Sequence, residues 1–105
     1  GTFSGAELII PAYYKGLPVT TIGFGAFENC NMITSVFVPD TVVRIEGNAF
    51  LNCKNLKTIS IPDSVKSIGS TAFSGCNSLS SAYYRGTGKP WWSNILDPRV
   101  TIHYN

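Results

Sequence analysis

Charge is scarce in this chain of 105 residues: Asp, Glu, Lys and Arg make up 13% of it, against roughly 25% in an average globular domain. With apolar residues at 44%, that balance excludes a disordered or polyelectrolyte segment. The net charge of +2 is small and scattered, so it supplies neither a nucleic-acid footprint nor an electrostatic membrane anchor. No run approaches the ~20 apolar residues of a membrane span, and no basic stretch followed by an apolar core opens the chain. Membrane insertion is not expected. The leading Gly1 before Thr2-Phe3-Ser4-Gly5 reads as a cleavage scar, which leaves room for a longer parent.

Histidine occurs once, at His103, and cysteine three times, at Cys30, Cys53 and Cys76, without a C-x-x-C pair. An odd count cannot close a disulfide framework, and the set is too small for a four-ligand zinc site. No nucleophile motif accompanies His103, which reads as a surface or cap residue. The carboxylates Glu7, Glu28, Asp40, Glu46, Asp63 and Asp97 are dispersed, and Asp40 and Asp63, each after a proline, read as turn formers. Gly86-Thr87-Gly88-Lys89-Pro90 lacks the first glycine and the final hydroxyl of a phosphate loop, and Gly23-Phe24-Gly25 is followed by Glu28 where a dinucleotide fingerprint needs glycine. No N-x-[ST] sequon masks a face. The expectation is a protein that is not an enzyme, with no metal and no cofactor.

What the chain does have is a repeat. The three cysteines are spaced by 23 residues, and their neighbours recur with them: Ala26-Phe27, Ala49-Phe50 and Ala72-Phe73, then Ile22, Ile45 and Ile68, Val19, Val42 and Val65, and Ile33, Leu56 and Leu79. Each unit opens on a short alternating run, Leu8-x-Ile10-Pro11, Val36-x-Val38-Pro39 and Ile59-x-Ile61-Pro62; Ala82-x-Tyr84 continues the series with Arg85 in place of proline. Alternation over four residues predicts a half-buried strand, ended by a proline that cannot donate to a ladder. The remaining apolar positions, spaced by three and four, predict one helical or 3₁₀ turn facing the strand. Five extra residues around Tyr14-Lys15-Gly16-Leu17-Pro18 predict a loop bulging from the first unit. One such coil cannot bury enough surface to offset its ordering entropy, so coils must stack into a solenoid.

The unit L-x-x-I-x-I-P-x-x-V-x-x-I-G-x-x-A-F-x-x-C, nearly whole from Leu56 to Cys76, resembles the BspA-like leucine-rich repeats. The resemblance covers essentially the whole chain and implies a leucine-rich-repeat solenoid, with short parallel strands on the concave face and turns or short helical segments on the convex one. One domain is expected over 1–105, in coils at 7–32, 33–55, 56–78 and 79–105, the last carrying a C-terminal cap with Trp92 and Ile95; Trp91 is read as part of the same cap. Cys30, Cys53 and Cys76 are expected as a structural ladder of buried thiols. The family is linked to secreted or surface-displayed proteins that adhere to host matrix proteins and other cells. It brings no catalytic set and no defined binding motif.

By register, the outward side of the strands carries Ile9, Phe37, Ser60 and Tyr83, flanked by Ser35, Thr58 and Ser81. Three of the four central residues are large and apolar or aromatic where polar ones would be neutral, which makes this file the candidate strip for a protein ligand. Five strands ~4.8 Å apart and ~17 Å long offer on the order of 400 Å², about half of the ~800 Å² per partner of a standard interface, so one such piece binds weakly. The reading is a non-enzymatic, extracellular or cell-surface module for protein binding; its competitor is a spacer repeat with no ligand of its own. Only seven residues precede Leu8, so the first coil is expected to be open, either to a longer parent or to end-to-end self-association.

Overall fold

The computed structural model describes residues 6–88 and 90–104; the segment Gly1–Gly5 read as a scar, Lys89 of the rejected glycine loop, and Asn105 lie outside them. The chain winds into about four coils. One strand from each, and a second from the last, form a five-stranded parallel sheet of β1 (Ala6–Ile9), β5 (Ile33–Phe37), β7 (Thr58–Pro62), β9 (Ser81–Arg85) and β10 (Thr101–His103), in that spatial order. The inward column runs Leu8, Val36, Ile59, Ala82, Ile102 in register, and Val36, Ile59 and Ala82 are buried. The alternation read from the sequence is thus the alternation of the sheet.

A second parallel ladder, not foreseen, lines the next corner of the coil: β4 (Thr21–Ile22), β6 (Arg44–Ile45) and β8 (Ser67–Ile68). It stacks the isoleucine column, with Ile22↔Ile45 and Ile45↔Ile68 as partners. The bulging loop is a two-stranded hairpin, β2 (Tyr13–Tyr14) against β3 (Leu17–Pro18). Lys15 at φ 51° and Gly16 at φ 80° turn it, both left-handed as a two-residue type I′ turn requires.

Of the turns or short helical segments expected on the convex side, it is turns that form. They follow one another with their own hydrogen bonds, and among the described residues the sole 3₁₀ helix is η1 (Trp91–Asn94) in the closing segment. The reason is visible in the backbone. Ala26, Glu28 and Cys30 donate to carbonyls three residues back, whereas Gly25, Phe27 and Asn29 donate to Gly47, Ala49 and Leu51 of the next coil. Alternate N–H groups therefore leave the turn to bind the neighbouring coil, which a helix cannot permit. Left-handed residues punctuate the path: Asn29 and Asn52 at φ near 60° and Gly75 at 76° form one column, Gly25 and Asn48 another. Asn and Gly are the residues that tolerate this conformation.

Between the ladders the core is continuous and densest in the middle coils, where Val42, Ile45, Ala49, Phe50, Cys53 and Leu56 are fully enclosed. Toward the first coil it opens, with Leu8, Val19, Phe27 and Cys30 only partly covered. At the other end Trp92 is buried edge-on to Tyr84, ring centroids 5.8 Å apart. Ile95 is partly covered, and Leu96 and Val100, which the sequence did not single out, complete the lid. Trp91 is half exposed, its indole N–H donating to the Val65 carbonyl at 3.1 Å. No helix among the described residues is long and apolar enough to cross a membrane.

Candidate functional site

The outward file of the concave sheet is built by register alone. Ile9 pairs with Phe37, Phe37 with Ser60, Ser60 with Tyr83, and Tyr83 with His103. All lie on alternate positions to the core column, so a side chain here has no inward option. Ile9 is 63% exposed, Phe37 38% and Tyr83 44%, while Ser60 is half-buried. Beside it runs a polar file of Glu7, Ser35, Thr58, Ser81 and Thr101.

Two residues that the sequence reading left out of the strip belong to it geometrically. The first is Arg85, in the column that holds Pro62 on the neighbouring strand. Its guanidinium lies over the Phe37 ring at 4.0 Å from the centroid. It donates to Ser60 Oγ at 2.6 Å, to the Val38 carbonyl, and to Asp40 Oδ1 at 3.0 Å. The small Ser60 makes this reach available, since a large side chain between Phe37 and Tyr83 would occupy the same space. With the Arg85 side chain 24% exposed and that of Asp40 85%, the ion pair is mostly solvated on its acidic side and contributes little by itself. The signal in the sequence was the break in the proline column. The second is His103, stacked on Tyr83 at 4.5 Å and 13°, with Nε2 3.3 Å from Ser81 Oγ. Among the described residues no carboxylate holds its other ring nitrogen, so the pair lacks the orienting third member of a nucleophile relay. Placing His103 in the file needed the fifth strand, which the repeat did not extend to.

On the opposite side the three thiols are free, and of the ladder expected to be buried only Cys53 is fully so, Cys30 and Cys76 being partly covered at the two ends of the column. Cys53 Sγ donates to the Phe27 carbonyl and Cys76 Sγ to that of Phe50, both at 3.1 Å, so each thiol ties its coil to the one before. Burial raises the pKa of both and pushes Cys76 up to about 11. A thiol at that value is about a hundredfold poorer in thiolate at pH 8 than one at 9. Iodoacetamide is therefore expected to modify Cys76 roughly a hundredfold more slowly in the folded protein than in urea, as mass spectrometry of quenched time points will read; equal rates would mean that the thiol is not held as described. At the end of β9, Tyr84 OH donates to Asp63 Oδ1 at 2.7 Å. That bond, with burial, raises the phenol's pKa and fixes the Asp63 turn to the last coil.

The repeat has counterparts among known proteins. Residues 12–89 match the BspA type leucine-rich repeat region, in six copies. The chain is similar to a leucine-rich cell surface protein of Faecalibacterium prausnitzii, with 33% identity over 67% of this chain and 18% of that one, at a TM-score of 0.65. It is also similar to a leucine-rich repeat protein of Bacteroides ovatus, with 31% identity over 94% of this chain and 30% of that one, at a TM-score of 0.67. The chain thus spans less than a third of the length of either. No curated protein matches it.

Proposed function

The chain belongs to the BspA-type leucine-rich repeat family, and from that premise we propose that it is a non-enzymatic protein-binding module of a bacterial cell-surface or secreted protein, serving adhesion to host or other cells. The contact strip is the file Ile9, Phe37, Ser60 and Tyr83, extended by Arg85 and His103. The observation that carries this is the in-register exposure of Ile9, Phe37 and Tyr83 on one sheet face, an apolar line with polar flanks. The surface location of the Faecalibacterium relative supports the setting. The open first coil, where the edge strand β1 has no partner outside β5 among the described residues, is the place for a preceding coil or a second copy.

A spacer role competes on one observation: Phe37 already carries the Arg85 guanidinium and Tyr83 the His103 ring, so the rings also serve the sheet. Phe37→Ser and Tyr83→Ser separate the two readings. For a binding strip, each is expected to weaken attachment to immobilised host matrix proteins and intact cells by roughly tenfold or more, in the range of a hot-spot residue. The melting temperature is expected to move by only a few degrees, as for a surface change. Unchanged attachment together with a large fall in melting temperature would assign the file to the scaffold.

A further inference from the structure

Contacts between coils have a direction, and the first coil carries one half of them unmade. Along the convex side each coil hands N–H groups forward: Gly25, Phe27 and Asn29 donate to Gly47, Ala49 and Leu51, and Phe50 and Asn52 to Ala72 and Ser74. At the second ladder the donors point back, Val43 and Glu46 to Thr20 and Ile22, Lys66 and Gly69 to Val43 and Ile45. The thiols point back as well, Cys53 to Phe27 and Cys76 to Phe50. In the first coil the carbonyls of Phe24, Ala26 and Glu28, which precede the acceptors of the second coil by one repeat, take no donor among the described residues. The N–H groups of Thr20 and Gly23 and the Cys30 thiol, which belong to the backward set, find no acceptor there. Side-chain cover follows the same division. Val19, Phe27 and Cys30 are only partly covered, whereas Val42, Phe50 and Cys53, the same residue types in the same columns, are fully enclosed. At the far end, under the closing segment, Val65 and Phe73 stay buried. What the second coil has and the first lacks is a neighbour on its amino-terminal side.

We propose that this open face is the docking surface for a preceding coil of the same repeat, carried earlier in the same polypeptide. The partner's chemistry follows from the unmet groups. Its convex turn presents N–H groups on alternate residues to Phe24, Ala26 and Glu28, and so holds no proline at those places. Its carbonyls meet the Cys30 thiol and the N–H groups of Thr20 and Gly23, and apolar side chains cover Val19 and Phe27. Its strand pairs with the outer edge of β1, which is free among the described residues, so the contact continues the interface already formed between the coils of this chain. A second copy does not supply the same set. Its own first coil brings acceptors where donors are needed, and the convex turn of its third coil, which has the forward donors, lies under the closing segment. Chain to build the coil from is at hand in the two solved relatives, which have more than two thirds of their length outside the matched part. The added strand sets an outward side chain beside Ile9, so the concave file lengthens by one residue per coil, toward the ~800 Å² per partner of a standard interface. The coil contact stands on main-chain polarity and core cover, and does not require the concave file to bind anything.

The test compares the chain with an extended one in which a copy of residues 33–55 replaces Gly1–Ser4, a junction that keeps the repeat spacing from the copied Val36 to Leu8. In the extended chain the amides of Thr20 and Gly23 are expected to exchange with deuterium roughly tenfold or more slowly than in the parent. Iodoacetamide is expected to modify Cys30 more slowly by a similar factor, as peptide mapping reads. Both chains are expected to be monomers in light scattering. The same extension with Phe50→Asp in the copy puts a carboxylate against Phe27, and is expected to return Thr20, Gly23 and Cys30 to the parent's rates. The proposal is overturned if the intact copy leaves those rates unchanged, or if the Asp-bearing copy protects as well as the intact one. It is also overturned if the parent is a dimer in which Thr20, Gly23 and Cys30 are already protected, since a second copy would then hold the face. Should the first extension not fold, a copy of residues 56–78 at the same junction takes its place, and failure of both to dock rejects the coil as occupant.

Discussion

Phe50→Ala is expected to lower stability by about 4 kcal/mol, within the 3–5 kcal/mol of a buried aromatic truncated in a core that cannot collapse. Collapse is prevented by the repeat itself. The ring is fully enclosed and is clamped on both faces, by Phe27 at 11° and Phe73 at 2°. The backbone on which it stands is fixed to the next coil, with the Phe50 N–H donating to Ala72 and its carbonyl accepting the Cys76 thiol. Both ring pairs vanish with the side chain, each contributing ~0.5–1.5 kcal/mol beyond buried area. For a domain whose net stability lies within about 5–15 kcal/mol, the melting temperature should fall by roughly 20 °C. Phe27→Ala should lose less than half as much, because that ring is partly exposed and has one stacked neighbour. Urea and thermal unfolding of both variants test the ranking. Equal losses would mean that the coils are stabilised one by one and do not share a core.

The same repetition decided what could be read in advance. Columns recurring at a fixed spacing identify which side chains stack on their own copies, so the first four concave strands, the core and the file from Ile9 to Tyr83 followed from position alone. The second ladder did not, since strands of two residues are too short to show a period. Of the turns or short helical segments expected on the convex side it is turns that form, because spacing by three and four describes one face of any tight path. What separates turns from helix was the Asn29, Asn52 and Gly75 column: side-chain amides and a glycine where the backbone must go left-handed. Arg85 was visible only as a broken proline column, and its function across the strip depended on Ser60 being small, a relation between coils rather than within one. Of the lid, Trp92 announced itself by size, whereas Leu96 and Val100 lie in a segment without repeat, where no register places a residue.

A pair of glycines in one column gives the sharpest contrast in expected stability. Gly69 and Gly23 both follow a residue of the isoleucine ladder, and the middle coil has Glu46 at that place. The turn itself therefore accepts a Cβ. At Gly69, however, a Cβ would stand 2.5 Å from the Gly47 nitrogen and 2.6 Å from its Cα, backbone atoms of the preceding coil, whereas at Gly23 nothing lies within 4 Å. Backbone cannot swing aside as a flexible side chain can, so Gly69→Ala must push the coils apart at this corner. That movement weakens the Gly69 N–H bond to the Ile45 carbonyl, 2.8 Å in the native chain, and the Ile45↔Ile68 pairing beside it. A loss of about 3 kcal/mol is expected, at the upper end of what overpacking costs. Gly23→Ala is expected to be neutral or to stabilise by up to ~1 kcal/mol, through the narrower unfolded ensemble that alanine leaves. Denaturant unfolding of the two variants side by side checks both signs. A Gly69→Ala protein as stable as the parent would show that coil spacing relaxes freely at this corner, and the rigid stack on which the concave file depends would have to be given up.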